Sequence, residues 1–161
     1  MTAQTNKFQK GFTLIELLVV IGILAVLLAI TLIAINPARQ FGNANNTARR
    51  SHATQILNAI GAYVAENKGQ LPAEITALTA GAAPTTLSYV AFPNLCAQLI
   101  PTYIPALPKN PTLGGNDVAL ADCTANPLIW TTGYSIGRDA NNRVTISADS
   151  TDNGATISVT R

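Results

Sequence analysis

The sequence predicts an α+β fold: a long N-terminal helix, half membrane-spanning and half amphipathic, packed on a small antiparallel β-sheet at the C-terminal end. Three observations carry this. Residues 12–35 form an almost wholly apolar run whose one charged residue is Glu16. Residues 47–68 place apolar side chains at helical spacing, and the last third alternates β-branched and polar residues between turn-forming clusters.

At about 1.5 Å per residue the apolar run makes a helix of roughly 36 Å, enough to cross a hydrocarbon core of about 30 Å with some tilt. Lys7 and Lys10 precede it, and by the positive-inside rule they hold the N-terminus in the cytoplasm. A carboxylate within a bilayer costs at least about 2.5 kcal/mol at the centre and less near the interface. Glu16 therefore needs an account. One reading keeps it local: in the first turn it meets the positive end of the helix dipole and snorkels to the headgroups.

A second reading comes from the residues around it. The segment Lys10-Gly11-Phe12-Thr13-Leu14-Ile15-Glu16, continuing Leu17-Leu18-Val19-Val20, resembles the leader and cleavage signature of the type IV pilin family, including the pseudopilins of type II secretion. The resemblance implies that a membrane prepilin peptidase cuts between Gly11 and Phe12 and methylates the new amino terminus of Phe12. It also implies that Glu16 serves assembly, opposite the N-terminal amine of a neighbouring subunit, where two groups costly in lipid neutralise each other. An ordinary secretory signal has an apolar core of roughly 7–15 residues with small residues before its cut. This core is too long for that and carries Glu16, which argues against cleavage near Ala34. A plain uncleaved anchor satisfies the same lysines and stays open.

Removal of residues 1–11 leaves the membrane segment 12–35, a linker and amphipathic helix over 36–69, and a head over 70–161. About 125 residues lie outside the bilayer, one small domain. Lys and Arg number ten against eight Asp and Glu, and Lys7 and Lys10 belong to the leader, so the mature side chains balance. That excludes a strong electrostatic footprint for nucleic acid. Only 11% of residues are charged, so the surface rests on small neutral polar groups that tolerate packing against copies of themselves.

Asn36-Pro37 removes a backbone donor and biases Asn36 away from helical dihedrals, so a kink or loosening is expected there. Gly42 and the cluster at residues 43–46 weaken the helix again. Beyond them Ala53, Ile56, Leu57, Ile60, Tyr63 and Val64 recur at spacings of three and four on one face, closed by Lys68 and Gly69. Arg49, Arg50 and His52, on its first turns, read as a solvated helix face, or as contacts with anionic lipid or a neighbouring subunit.

Residues 79–86 read as an irregular loop and residues 93–100 as a short helix. The four prolines within residues 101–113 rule out a regular element. This Leu-Pro-Lys-Asn-Pro stretch also resembles the heads of pseudopilins. Strands are expected at residues 128–132, 134–138, 144–148 and 156–160, with turns at 139–142 and 149–154. One sheet face should pack on Ile56, Ile60 and Val64, with Trp130 in the core or on the sheet.

Cys96 and Cys123 are the only cysteines, and the topology places both beyond the membrane, where disulfides persist. A bond between them would close about 27 residues and stabilise the fold by roughly 3–4 kcal/mol; two buried free thiols are the alternative. Asp139, Asn141, Asp149 and Asp152 offer oxygen ligands at short spacing, as calcium would need. Asp and Asn are also ordinary turn residues, and the full calcium spacing is absent.

The chain has no HExxH and no phosphate-binding glycine loop, and His52 is its single histidine, without an acidic neighbour in sequence. No enzyme and no cofactor is predicted. The expected function is a prepilin or pseudopilin subunit polymerising through its N-terminal helix, with Gly22, Ala25, Ala29 and Ala34 as close-packing surfaces. Its partners would be copies of itself, other pilins, prepilin peptidase, the inner-membrane assembly machinery and, before assembly, membrane lipid. Its place would be the inner membrane and then an extracellular or periplasmic filament. The alternative is a minor tip pilin whose loops 79–88 and 113–126 bind a surface, DNA or secreted cargo. A basic strip interleaved with aromatics is lacking, so no specific nucleic acid is expected.

Overall fold

The computed structural model describes residues 11–125 and 129–161. The chain divides into two compact units between Gln40 and Phe41. In the first, helix α1 runs Leu14–Ile35 and contains no buried residue. A helix apolar on every side needs an apolar environment from outside itself, and α1 is long and apolar enough to cross a membrane.

Asn36 ends α1 in the left-handed region, at φ 47° and ψ 78°, a conformation asparagine tolerates better than most residues. Its side-chain oxygen and its carbonyl both accept from the Arg39 N–H, at 3.3 and 3.1 Å. The same residue thus stops one helix and caps the next. Helix α2, Pro37–Glu66, starts on the proline, where a missing N–H removes no intrahelical bond. The interruption expected here is a one-residue break at Asn36, and the weakening expected at Gly42 and residues 43–46 does not break α2.

In the second unit, α2 buries Ala53, Ile56, Leu57 and Ile60 and half-buries Tyr63 and Val64, the stripe the spacing predicts. Full burial of each large aliphatic side chain contributes about 1.5–3 kcal/mol. The helix ends with Lys68 at φ 54° and the Gly69 N–H returning to the Val64 carbonyl at 2.8 Å, a Schellman-type closure.

Short helices follow at α3 Ala73–Thr76, α4 Leu95–Leu99 and α5 Leu120–Thr124. The sheet has strands β1 Thr85–Ser88, β2 Thr131–Arg138, β3 Val144–Ala148 and β4 Ser158–Thr160. They are antiparallel in the order β1-β2-β3-β4, with Ile136 opposite Ile146 and Ile146 opposite Val159. Tyr134, Ile136 and Ile146 share one buried cluster with Ile56 and Ile60 of α2, with Phe92, Leu95 and Leu99, and with Trp130.

Two strand expectations change. Residues 128–132 and 134–138 were separated in the sequence by Gly133, but from Thr131 onward they form the single strand β2; Leu128 lies outside the described residues. Gly133 keeps the strand continuous at φ 74°, and a Cβ there would stand 2.5 Å from Leu113 Cδ1 and 2.9 Å from Asn110 Cβ. The loop pressed against the strand is what requires glycine. The region read as irregular through residue 86 contributes β1, which pairs with β2 across an irregular register between Thr86 and Ser88. Residues 101–113 form no helix or strand; Leu107 makes an isolated bridge with Val118.

Candidate functional site

The segment expected to be processed, Gly11 to Glu16, lies in the first unit. Gly11, Phe12 and Thr13 precede the helix and are exposed, Phe12 by 83%. The Gly11–Phe12 bond therefore lies in accessible, non-helical chain. Thr13 is the N-cap of α1, and with Glu16 it forms a reciprocal capping box. The Glu16 N–H donates to Thr13 Oγ1 at 3.3 Å, while the Thr13 N–H and hydroxyl both donate to Glu16 Oε2 at 2.8 Å. This satisfies orphan donors at the helix start and puts a negative charge at the positive end of the helix dipole. Both bonds go to one carboxylate oxygen. Farther along, the Thr31 hydroxyl donates to the Leu28 carbonyl at 2.9 Å, so this polar group also carries its own partner.

In the head, Cys96 of α4 and Cys123 of α5 are joined, with Cα atoms 5.6 Å apart. Three of the four calcium candidates, Asp139, Asp149 and Asp152, are held by other partners. Asp139 accepts from the Arg143 Nε at 2.6 Å and from the N–H groups of Asn141 and Arg143; these bonds, led by the Arg143 side chain, hold its carboxyl below the usual range. Asn141 is exposed in that turn. Asp149 accepts from the Ser135 hydroxyl, and Asp152 is paired with Arg49. Among the described residues, no group of three or more His, Cys, Asp and Glu side chains could hold a metal ion.

Arg49 contradicts the reading that placed it on a solvated face. Its side chain is wholly buried. Nε donates to Asn110 Oδ1 at 2.9 Å, and NH1 donates to Asn46 Oδ1 at 2.8 Å and to Asp152 Oδ2 at 2.7 Å. NH2 reaches Thr112 Oγ1 at 3.3 Å. A buried guanidinium needs every one of these partners, because an unpaired charge in the interior is costly. The signal was in the sequence: Arg49 stands four before Ala53 and seven before Ile56, on the apolar stripe itself. Nothing in the local sequence could have named Asp152 or Asn110 as its partners.

Arg50 stays exposed, whereas His52 is half-buried with Nδ1 2.9 Å from the Tyr134 hydroxyl. Burial pushes Tyr134 up to about 12. Of the two loops considered for binding, residues 79–88 end in β1. Residues 113–126 include α5, and Asn126 lies outside the described residues.

A family model described as the prokaryotic N-terminal methylation motif matches residues 6–32. In that segment the chain is similar to the type IV pilins and pseudopilins, and the match supports that reading of its N-terminus. The head lies beyond the match, and neither the curated proteins nor the solved structures give a match to the chain. The pilin motif covers the exposed Gly11–Phe12 bond, the Thr13–Glu16 box and most of α1. It supports a pilin-type structural subunit, anchored in a membrane by one apolar helix, with pilin partners and prepilin peptidase processing in general.

Proposed function

We propose that the chain is a prepilin or pseudopilin cut between Gly11 and Phe12, methylated on Phe12, and polymerised into a filament with α1 as its shared core. The single observation that carries this is α1 itself. It has a satisfied, acidic N-terminus at Glu16 and no buried residue over Leu14–Ile35, and the match to the methylation motif covers most of its length. In lipid such a helix is covered by acyl chains, and in a filament the same surface is covered by other α1 helices through close packing at Gly22, Ala25, Ala29 and Ala34. The Phe12 ammonium of a neighbour would pair with Glu16, whose Oε1 is not used by the capping box. Repetition of one head-to-tail contact builds an open helical polymer.

In this reading residues 1–11 are the leader, 12–35 the filament core, 36–69 the connection and amphipathic helix, and 70–161 the head. The leader faces the cytoplasm and the head lies across the inner membrane. A tip role for the loops at 79–88 and 113–126 has less behind it, because Thr85–Ser88 is already committed to the sheet. The test is intact mass and N-terminal sequencing of material sheared from the surface of the native cell. A chain beginning at methylated Phe12 supports processing and export together; an unprocessed chain confined to the membrane overturns the filament reading.

A further inference from the structure

We propose that residues 42–49 of α2 are a conditional helix, held in helical form by the loop at residues 149–154, which straps across about two of its turns. The inference concerns the second unit, Phe41–Arg161, and does not depend on whether the chain assembles. Taken by themselves, these residues are poor helix formers: Gly42, Asn43, Asn45, Asn46 and Thr47 all rank low in intrinsic propensity. Asn and Thr also offer the backbone competing side-chain bonds, and Thr47 Oγ1 does donate to the Asn43 carbonyl at 3.0 Å.

The features that weaken the helix are the ones that receive the loop. A Cβ on Gly42 would stand 2.6 Å from Asn153 Nδ2 and 3.0 Å from Asp152 Cβ, so only a residue without a side chain lets the loop approach. Asn43 Oδ1 accepts from Asn153 Nδ2 at 3.1 Å, and Asn45 Nδ2 donates to Asp152 Oδ2 at 3.2 Å. The Asn46 amide pairs with the Asp152 backbone in both directions, donating to its carbonyl at 2.8 Å and accepting from its N–H at 3.1 Å. Arg49 completes the set with its 2.7 Å ion pair to Asp152.

Gly42, Asn45, Asn46 and Arg49 are separated by three or four residues, so they share a face only when the backbone is helical. One short loop can hold all of them only in that state. The loop is itself a tight turn: the Ala155 N–H donates to the Asp152 carbonyl at 3.2 Å, and Asn153 and Gly154 have φ of 56° and 67°, the signature of an Asn-Gly type I′ turn. A preorganised turn thus meets a stretch of chain whose order depends on it. Helix formation and loop docking are then reciprocally linked: whatever draws the loop away frees residues 42–49 to leave the helix.

The experiment is residue-resolved hydrogen exchange on the full chain in detergent micelles, comparing the parent with Asn46→Ala. Alanine is the best helix former, so a helix held by its own propensity would exchange more slowly at the amides of residues 43–50. A helix held by the strap exchanges at least tenfold faster there, with the amides of Ile136 and Ile146 in the sheet unchanged. Gly61→Ala, also in α2 and with only Arg161 NH1 near its Cβ position at 3.7 Å, is the control and should slow exchange locally. If Asn46→Ala loosens the whole head, Asn45→Ala, which removes one bond to Asp152, should still accelerate exchange at residues 43–50 ahead of the sheet. Unchanged or slower exchange at those amides in both Asn variants overturns the proposal.

Discussion

Arg49 and Asp152 meet at 2.7 Å, the arginine side chain wholly buried and the aspartate side chain one-third exposed. The pair is therefore asymmetric. Removal of the arginine leaves a carboxylate that water can still reach, whereas removal of the aspartate leaves a guanidinium that water cannot. Arg49→Met should destabilise the head by about 1–3 kcal/mol through the charged hydrogen bonds lost to Asn46 and Asn110. Asp152→Ala should cost more than Arg49→Met, because an uncompensated buried charge is the worse outcome. Chemical denaturation of the full chain in micelles gives the ordering, and the reverse ordering would refute the asymmetry.

The same pair fixes a pH dependence. Hydrogen bonds from Arg49 and then Asn45 hold the Asp152 carboxyl below its usual value. A depressed folded-state value means a contribution that is fully present above the unfolded carboxylate range, about 3.9, and is lost as pH falls through the folded value. The Tm difference between the parent and Asp152→Asn should stay flat from pH 7 to 5 and shrink below about pH 4. A gap that changes between pH 7 and 5 would assign the dependence to another group.

Tyr134 gives the opposite sign at the alkaline end. Burial raises its hydroxyl to about 12, while the unfolded chain ionises near 10. Its contribution is intact below about pH 10 and falls away from there upward. Phenolate absorbance during alkaline titration should show one tyrosine ionising last. Tyr134→Phe should remove that late step, at the loss of the 2.9 Å contact with His52 Nδ1.

The disulfide should act through the unfolded chain. Cys96 and Cys123 are 27 residues apart, and a loop of that size corresponds to roughly 3–4 kcal/mol in the loop-entropy model. Cys96→Ala with Cys123→Ala should lower stability by that amount, and a reductant should lower the parent toward the variant without affecting the variant. A variant as stable as the oxidised parent would show that the bridge adds nothing.

Legibility in the sequence followed the range of the interactions. The stripe through Ala53, Ile56 and Ile60 was readable because helical spacing is local, and Val144–Ala148 was readable because β-branched alternation is local. Strand β1 was not, because Thr85 and Thr86 follow a Gly-, Ala- and Pro-rich stretch and become a strand only by pairing with Ser135 and Ile136 some fifty positions away. Gly133 looked like a gap between strands for a similar reason: the loop at Asn110 and Leu113 that demands a glycine there is distant in sequence. The methylation motif was the most legible part, since it is contiguous, yet the Thr13 half of the capping box went unread beside the more conspicuous carboxylate.

That capping box separates two roles for Glu16. As a local cap, it needs only an acceptor oxygen three residues after Thr13, and glutamine supplies one. As the partner of a neighbouring ammonium, it needs its charge. Glu16→Gln should therefore keep α1 helical and membrane-inserted but abolish filament recovery, because an ammonium drawn into an apolar core without a counter-charge is too costly. Thr13→Ala removes the N-cap at about 1 kcal/mol of helix-end stability and leaves the charge in place, so filaments should still form. Circular dichroism in micelles and the yield of sheared filaments read the two roles separately. Filaments from Glu16→Gln at parental yield would make the cap the whole purpose of the residue and remove the charge pair from assembly.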